Sequence, residues 1–417
     1  MKILFKRILL LLSLLLLWSV VALYGGLSGW WLKPLAHKDD VNGFTSAIER
    51  KLATEVRGNV ALVLIESGEV VYENYNHSLD EINRETLFPV ASMSKFFTAL
   101  GVLEFTEKYQ ASLDQPVAEL INGWQLPESP FDHSKVTLSA LLSHTAGLTD
   151  SLGFADYQNA EDVPNLIDSL NAPQAIDGVR AITVGFEPGS EWAYSGGGYL
   201  ITELVVEEQT DMAFESWMQQ SVFAPTGMSR ATYDPISTLD NHSKSYDKVG
   251  TAAPLYYYAS PAATGLSLSA HDLVQLLSSD LISRHSQALT QPIGNKLGAP
   301  IWGLGAMLYA PLDDAQGQSN KGQFIFGHDG SNEPAINSTL RINPSSGDAL
   351  IVLSTGGDFL ASQIGYEWVL WQSGYPDFLH FERAIASAWQ PMFSGFVVIV
   401  MLLMARLIFA KRKQKRH

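Results

Sequence analysis

The sequence predicts an α+β protein: an antiparallel sheet flanked by helices, with a mostly helical insert and one transmembrane helix at each end. Three observations predict it. Long apolar runs almost free of charge lie at both ends of the 417 residues. Short β-patterned segments cluster near both ends of the intervening body. Helical periodicity dominates the stretch between them.

The first apolar run, Ile8 to Leu27, is mostly Leu, Val and Ile and carries no charge. Its length matches the roughly 20 residues that a helix needs to cross a bilayer. Trp30 and Trp31 follow, where amphipathic rings favour the interface. A cleavable signal peptide, cut after Val20-Val21-Ala22, is the alternative, but the apolar core is longer than such leaders carry, which favours an anchor. The second run, Met392 to Ala410, is interrupted by a single charge, Arg406, one turn from the end and able to snorkel. The basic tail after it is a cytoplasmic-side signal, as are Lys2, Lys6 and Arg7 before the first run. The expected organisation is therefore a cytoplasmic N-terminus (1–7), a first span (8–27), a folded body (38–385), a second span (392–410) and a cytoplasmic tail (411–417).

Within the body, Phe44, Ile48 and Leu52 recur at helical spacing after Asp39 and Asp40, predicting a helix near 40–56. Residues 60–65 and 70–72 read as strands joined at Ser67-Gly68. A helix with Phe96, Leu100, Leu103 and Phe105 on its apolar stripe follows over 92–108. The stretch 110–280 reads as mostly helical with long loops. Strands return near 304–310, 323–327, 336–342 and 349–354, before a helix near 359–373. Short turns such as Pro344-Ser345-Ser346-Gly347 make the sheet antiparallel, assembled from both ends of the body. A site at the seam between sheet and insert is the natural expectation.

Charge and composition exclude some functions. The formal net charge is −16, and with the nine terminal basic residues set aside, 18 basic residues face 43 acidic ones, a balance of −25. Such a surface repels phosphates, which excludes nucleic-acid binding. Cysteine is absent, so disulfides and thiolate metal sites are excluded as well.

Ser92-Met93-Ser94-Lys95 is a Ser-x-x-Lys motif at the start of the expected helix. Residues three apart share a helix face, so the hydroxyl and the amine can meet. A serine hydroxyl becomes a nucleophile when a base takes its proton, and N–H groups at a helix start can stabilise an oxyanion. Ser245-Tyr246-Asp247-Lys248 also fits the pattern, but no apolar helix follows it, and we read it as chance.

The company of the first copy distinguishes it. The segment from Thr86 to Ala99 around Ser92 and Lys95 resembles the nucleophile segment of serine β-lactamase-related hydrolases. Four further stretches resemble that family in its order: Ser112 to Val117, Leu141 to Leu148, Phe186 to Gly189 leading to Tyr194-Ser195, and Phe326 to Asn332. Pro261 to Leu273 is similar too, with Ser269 and Asp272 as a helix N-cap pair. The resemblance covers roughly residues 45–360 and is greatest to the class C β-lactamase, penicillin-binding protein, D-peptidase and esterase branch. It implies a β-lactamase/transpeptidase-like fold and an acyl-enzyme on Ser92, with Lys95 and Tyr194 sharing the proton work. His328, where many relatives carry lysine, would contact the substrate or orient Tyr194. Gly330 and Ser331 would also bind substrate, and the Ser331 N–H would join that of Ser92 in an oxyanion hole. No metal or cofactor is needed, and the implied partner is a small-molecule or peptide substrate outside a bacterial inner membrane. Gly196 stands where the family's second motif has an asparagine that helps hold an acylamino group, which weakens the case for efficient β-lactam hydrolysis. A catalytically lapsed cell-wall-binding module is the alternative. His144 reads as structural, since no acid or second histidine lies at ligand spacing.

Overall fold

The computed structural model describes residues 2–76, 79–152, 156–171, 181–296, 298–313 and 319–414. Its spine is one eight-stranded antiparallel sheet. In chain order the strands are β1 (Asn59–Glu66), β2 (Glu69–Asn76), β3 (Gly294–Lys296), β4 (Ala299–Trp302), β5 (Met307–Asp313), β6 (Ser319–Asn332), β7 (Ile336–Asn343) and β8 (Asp348–Thr355). They lie side by side as β2-β1-β8-β7-β6-β5-β4-β3. The first and last segments of the body thus meet in the middle of the sheet, where β1 pairs with β8 from Asn59↔Thr355 to Ile65↔Ala349.

Strand periodicity divides β1 between two cores. Val60, Leu62 and Leu64 point to the back face, packing with Phe44, Ile48 and Leu52 of the helix over Val41–Glu55, while Ala61, Val63 and Ile65 point to the front. The N-terminal helices are α1 (Lys2–Leu27) and α2 (Val41–Glu55), the latter capped by Asp40, which accepts from the Gly43 N–H at 2.9 Å. On the front lie α3 (Ser94–Tyr109), α4 (Gly197–Thr210), α5 (Ala270–Ser278) and α6 (Leu281–Thr290), with shorter helices and long loops between. On the back, α7 (Leu360–Ser373) joins α2; Trp371 stacks on Phe44 with centroids 4.5 Å apart. The chain ends in α8 (Phe381–Ser387) and α9 (Trp389–Gln414).

Several expectations need adjustment. The helix after the Ser-x-x-Lys motif begins at Ser94 rather than Ser92, because Ala91–Met93 form a tighter 3₁₀ turn. The strand expected at 323–327 extends to Asn332, so the last motif lies inside it, and the strand expected at 304–310 is shifted to Met307–Asp313. Strands β3 and β4 were not expected. The second Ser-x-x-Lys copy lies in a turn, with Asp247 accepting from the N–H groups of Val249 and Thr251. The N-cap pair at Ser269 and Asp272 is present as a full capping box.

Helices α1 and α9 are both long and apolar enough to cross a membrane. They pack side by side in opposite directions. The Trp18 indole donates to the Pro391 carbonyl at 3.0 Å and lies over Gly395, where any Cβ would collide with it. Gly26 similarly admits the Ala384 carbonyl and the Ala388 side chain. Small residues here permit the close backbone approach typical of packed apolar helices.

Candidate active site

Every residue from Thr86 to Leu103 is buried except Ser92, which is partly exposed. The backbone before it is bent sharply: Ala91 has φ +47°, a left-handed conformation that costs a non-glycine residue energy and persists only when its surroundings enforce it. The enforcement is visible. Val90 donates its N–H to the Leu266 carbonyl, and its own carbonyl accepts from Ser338 Oγ at 2.8 Å. The Ser94 hydroxyl donates to the Ala91 carbonyl at 2.7 Å and accepts from the Leu266 N–H at 3.1 Å. Thus the motif's second serine staples the turn, which presents Ser92 outward.

Tyr194 donates its hydroxyl to Ser92 Oγ at 2.9 Å. Lys95 is buried, donates from Nζ to the Ala263 carbonyl at 2.8 Å, and lies 5.1 Å from the centre of the Tyr194 ring and 5.3 Å from that of Tyr199. The sequence pattern expected the lysine amine to meet the serine directly; the group within hydrogen-bond reach is instead the tyrosine hydroxyl, with the ammonium beneath its ring.

Tyr194 is held by a loop and a helix start. Ser195 donates its hydroxyl to Asp150 Oδ1 at 2.7 Å, and the Gly197 N–H donates to Asp150 Oδ2 at 2.9 Å. Asp150 therefore sits at the N-terminus of α4, where a carboxylate is favoured. Burial nevertheless pushes its carboxyl above the usual range, against the pull of these donors. Gly196 has φ −77° and ψ −35°, which any residue adopts, so the backbone does not require glycine there. The missing amide is a property of the site and not of the turn.

His144, read from the sequence as structural, lies against the Tyr194 ring. Its Nδ1 accepts from the Ser195 N–H at 3.1 Å, and its ring lies 4.4 Å from that of Tyr194. Burial, then the charge of Lys95 and the proximity of His328, hold its pKa well below the ordinary value. Asp150 and Trp302 are two further residues at this site that sequence reasoning missed. Trp302 packs edge-on against His328 and Tyr194, with centroids 5.3 and 6.0 Å away, and donates to the Leu142 carbonyl. Nothing in a lone aspartate or a tryptophan in a short strand marks either one.

His328, Gly330 and Ser331 lie on β6. His328 is fully buried, and its Nδ1 donates to the Asp329 carbonyl, leaving Nε2 as the bare nitrogen of a neutral ring. Burial and the charge of Lys95 bring its pKa down to about 3. Gly330 lets the strand press against the nucleophile turn: a Cβ there would run into the Val90 carbonyl and Ser338 Oγ. Ser331 is exposed. Pairing of β6 with β5 ends at Gly327↔Met307, and the next N–H on that edge, from Asp329, goes to Met307 Sδ at 3.4 Å. N–H directions alternate along a strand, so that of Ser331 points to the same open edge, away from β7.

Among the described residues, Glu104, Glu107 and His285 are grouped closely enough to ligate a cation. They lie about three turns along α3 from Ser92. Arg284 already pairs with both glutamates, at 2.9 and 3.0 Å, and His285 Nε2 with Glu104 at 2.6 Å.

Comparison with known proteins bears on the fold and the family. The chain is 29% identical over 180 residues to Penicillin-binding protein 4* of Bacillus subtilis (strain 168), covering 41% of this chain and 37% of that protein. It is 23% identical over 195 residues to a putative D-alanyl-D-alanine carboxypeptidase of Escherichia coli (strain K12), covering 43% and 44%. The matches thus span less than half the length of these curated relatives. Among solved structures, the octameric penicillin-binding protein homologue from Pyrococcus abyssi superposes with a TM-score of 0.63 at 22% identity, over 80% of this chain and 78% of that one, a likeness of fold. The beta-lactamase family model matches residues 44–368, well over half of the chain. The chain belongs to the beta-lactamase family, a family of serine hydrolases.

Proposed function

We propose that this protein is a membrane-anchored serine hydrolase that forms an acyl-enzyme on Ser92 with amide or ester substrates: D-amino-acid peptides, cell-wall fragments, β-lactams or small esters. The observation that carries the reading is the 2.9 Å contact between Tyr194 and Ser92, at the one partly exposed residue of the buried segment from Thr86 to Leu103. Ser92 Oγ attacks the carbonyl carbon as its proton passes to the Tyr194–Lys95 pair, one member of which enters the step without its own proton and so can accept it. The oxyanion is received by the N–H groups of Ser92, at a helix start, and of Ser331, at the open strand edge. The proton is then delivered to the leaving amine or alcohol, and water cleaves the acyl ester by the same groups in reverse.

Two features narrow the substrate. His328 is neutral where many relatives carry lysine, leaving Lys95 as the ammonium nearest the reacting groups. Gly196 offers no amide to an acylamino side chain. Both favour uncharged esters and amides over β-lactams. Helices α1 and α9, paired through Trp18 and Gly395, support an anchor in which both termini lie on one side of the membrane and the body on the other. Treatment of the full chain in detergent with a fluorophosphonate, followed by intact mass, tests the reading. One adduct on the parent and none on Ser92→Ala is the expected result. No adduct on a folded parent would replace it with the lapsed binding module.

A further inference from the structure

Past Gly327, strand β6 has no strand partner on one edge, so its pairing with β7 and its side chains must fix where Ser331 sits. The side chain that reaches backward from this stretch is Asp329. Its carboxylate is gripped by Arg341 NH1, and by NH2 at 3.1 Å, and it accepts from Thr339 Oγ1 at 2.5 Å and from the Tyr309 hydroxyl at 3.4 Å. Arg341 is completely buried, and its guanidinium carbon lies 3.4 Å from the centre of the Tyr309 ring. Gly365 of α7 makes room, since a Cβ there would press on the guanidinium.

The guanidinium has a second carboxylate. Arg341 NH2 lies 3.2 Å from Oδ2 of Asp377, itself completely buried. Asp377 also caps the turn Phe378–His380 by accepting from the Leu379 N–H at 2.9 Å, and that turn packs on β4 and β5. Asp377 lies nine residues beyond the stretch that matches the family model, in the segment leading from α7 into α8 and α9. A charge buried without need is costly, so a carboxylate brought from outside the matched fold to a guanidinium that already has a partner calls for a reason.

We propose that Asp377 is a positioning residue for the strand carrying His328, Gly330 and Ser331, acting through Arg341 and Asp329. This rests on the hydrolase reading above. By holding the second amino group of the guanidinium, Asp377 fixes the plane in which Arg341 meets Asp329, and hence the place of the free-edged end of β6. The segment leading into the second apolar helix is then part of the support of the oxyanion site.

The test compares the full chain in detergent with its Asp377→Asn variant, which keeps the capping oxygen and loses the charge. The rate of fluorophosphonate labelling and kcat for a small ester are expected to fall about tenfold, a fraction of the roughly 10²-fold that a 1 Å misplacement can cost. KM is expected to change less than kcat, within about twofold, because the Ser331 N–H contact to the oxyanion is made chiefly in the transition state. A folded variant that labels at the parental rate, or one that changes KM alone, would overturn the proposal. Should the Asn variant fail to fold, Asp377→Glu carries the test. Its extra methylene shifts the carboxylate against Arg341 in a fully buried site, so labelling should slow; a parental rate overturns the proposal. Failure of both to fold also counts against it, making Asp377 a folding requirement. A parent that does not label at all sinks the hydrolase reading instead, so the two failures are distinguishable.

Discussion

His328 and Asp329 are neighbours on one strand, yet the two faces of the sheet treat them oppositely. On the front, His328 is buried among Trp302 and the Lys95 charge, and it stays neutral. On the back, burial opposes ionisation of Asp329, but Arg341 overrides it and holds the carboxyl below its usual range. Burial on the active-site side is resolved by giving up a charge; on the far side it is resolved by pairing one. Under the proposed mechanism, the difference keeps Lys95 as the charge nearest the reacting groups, while the Arg341 ion pairs lie on the face away from the substrate.

The comparison can be broken hardest at Arg341. Arg341→Met should leave the buried Asp377 and the largely enclosed Asp329 without their partner and cost about 3–5 kcal/mol of stability. Denaturant unfolding of the full chain in detergent reads this out; a loss below about 1 kcal/mol, the value of an exposed pair, would mean that the charges are solvated. On the front face, Tyr194→Phe removes a hydroxyl without burying any charge. It should lower kcat about 10²-fold while leaving the unfolding midpoint nearly unchanged, as for loss of a general acid–base group. Ester turnover that survives this change would place the proton work elsewhere.

The smallest effect is a pH dependence, and it separates the faces. His328 has a folded pKa depressed from 6.5 to about 3, so its contribution is complete above about pH 6.5 and is lost as pH falls toward 3. Asp329 is also depressed, but from 3.8, so its contribution is lost only below that value. Stability of His328→Gln should therefore fall less steeply than the parent between pH 6.5 and about 3, and in parallel with it below. His144 acts in the same direction as His328, so the slope should shrink without vanishing. Identical slopes would show that the fold does not depress the His328 pKa.

Much of this was legible in the sequence because local pattern carried it. The alternation in β1 and β8, and the stripe along α3, report burial on faces that the chain itself defines. The Ser92, Lys95 and Tyr194 segments could be aligned as motifs because each is local. What was not legible depends on distant partners. Strands β3 and β4 are three and four residues long, include Pro300, and show no alternation to read. Asp150 becomes meaningful only when α4 starts beside it, 47 residues on. The start of α3 was misplaced by two residues because the tight turn at Ala91–Met93 is imposed by Leu266 and Ser338, not by its own composition. The Arg341 pair with Asp377 spans 36 residues and leaves no spacing rule.

The pairing of β1 with β8 also sets a timetable. Asn59 finds its partner at Thr355, so during synthesis β1 has only β2 beside it until nearly 300 further residues have been made. At roughly 5–20 residues per second that is about 15–60 s. Through that interval an apolar strand, Val60 to Ile65, waits with one edge unpaired, the condition in which strands of different chains associate. Its neighbour β2 is rich in charged and polar residues, with Glu69, Glu73, Asn74 and Asn76, and so shields the other edge. The newborn chain therefore depends on whatever covers β1 before β8 arrives, and its yield should respond to the rate of translation more than its final stability would suggest.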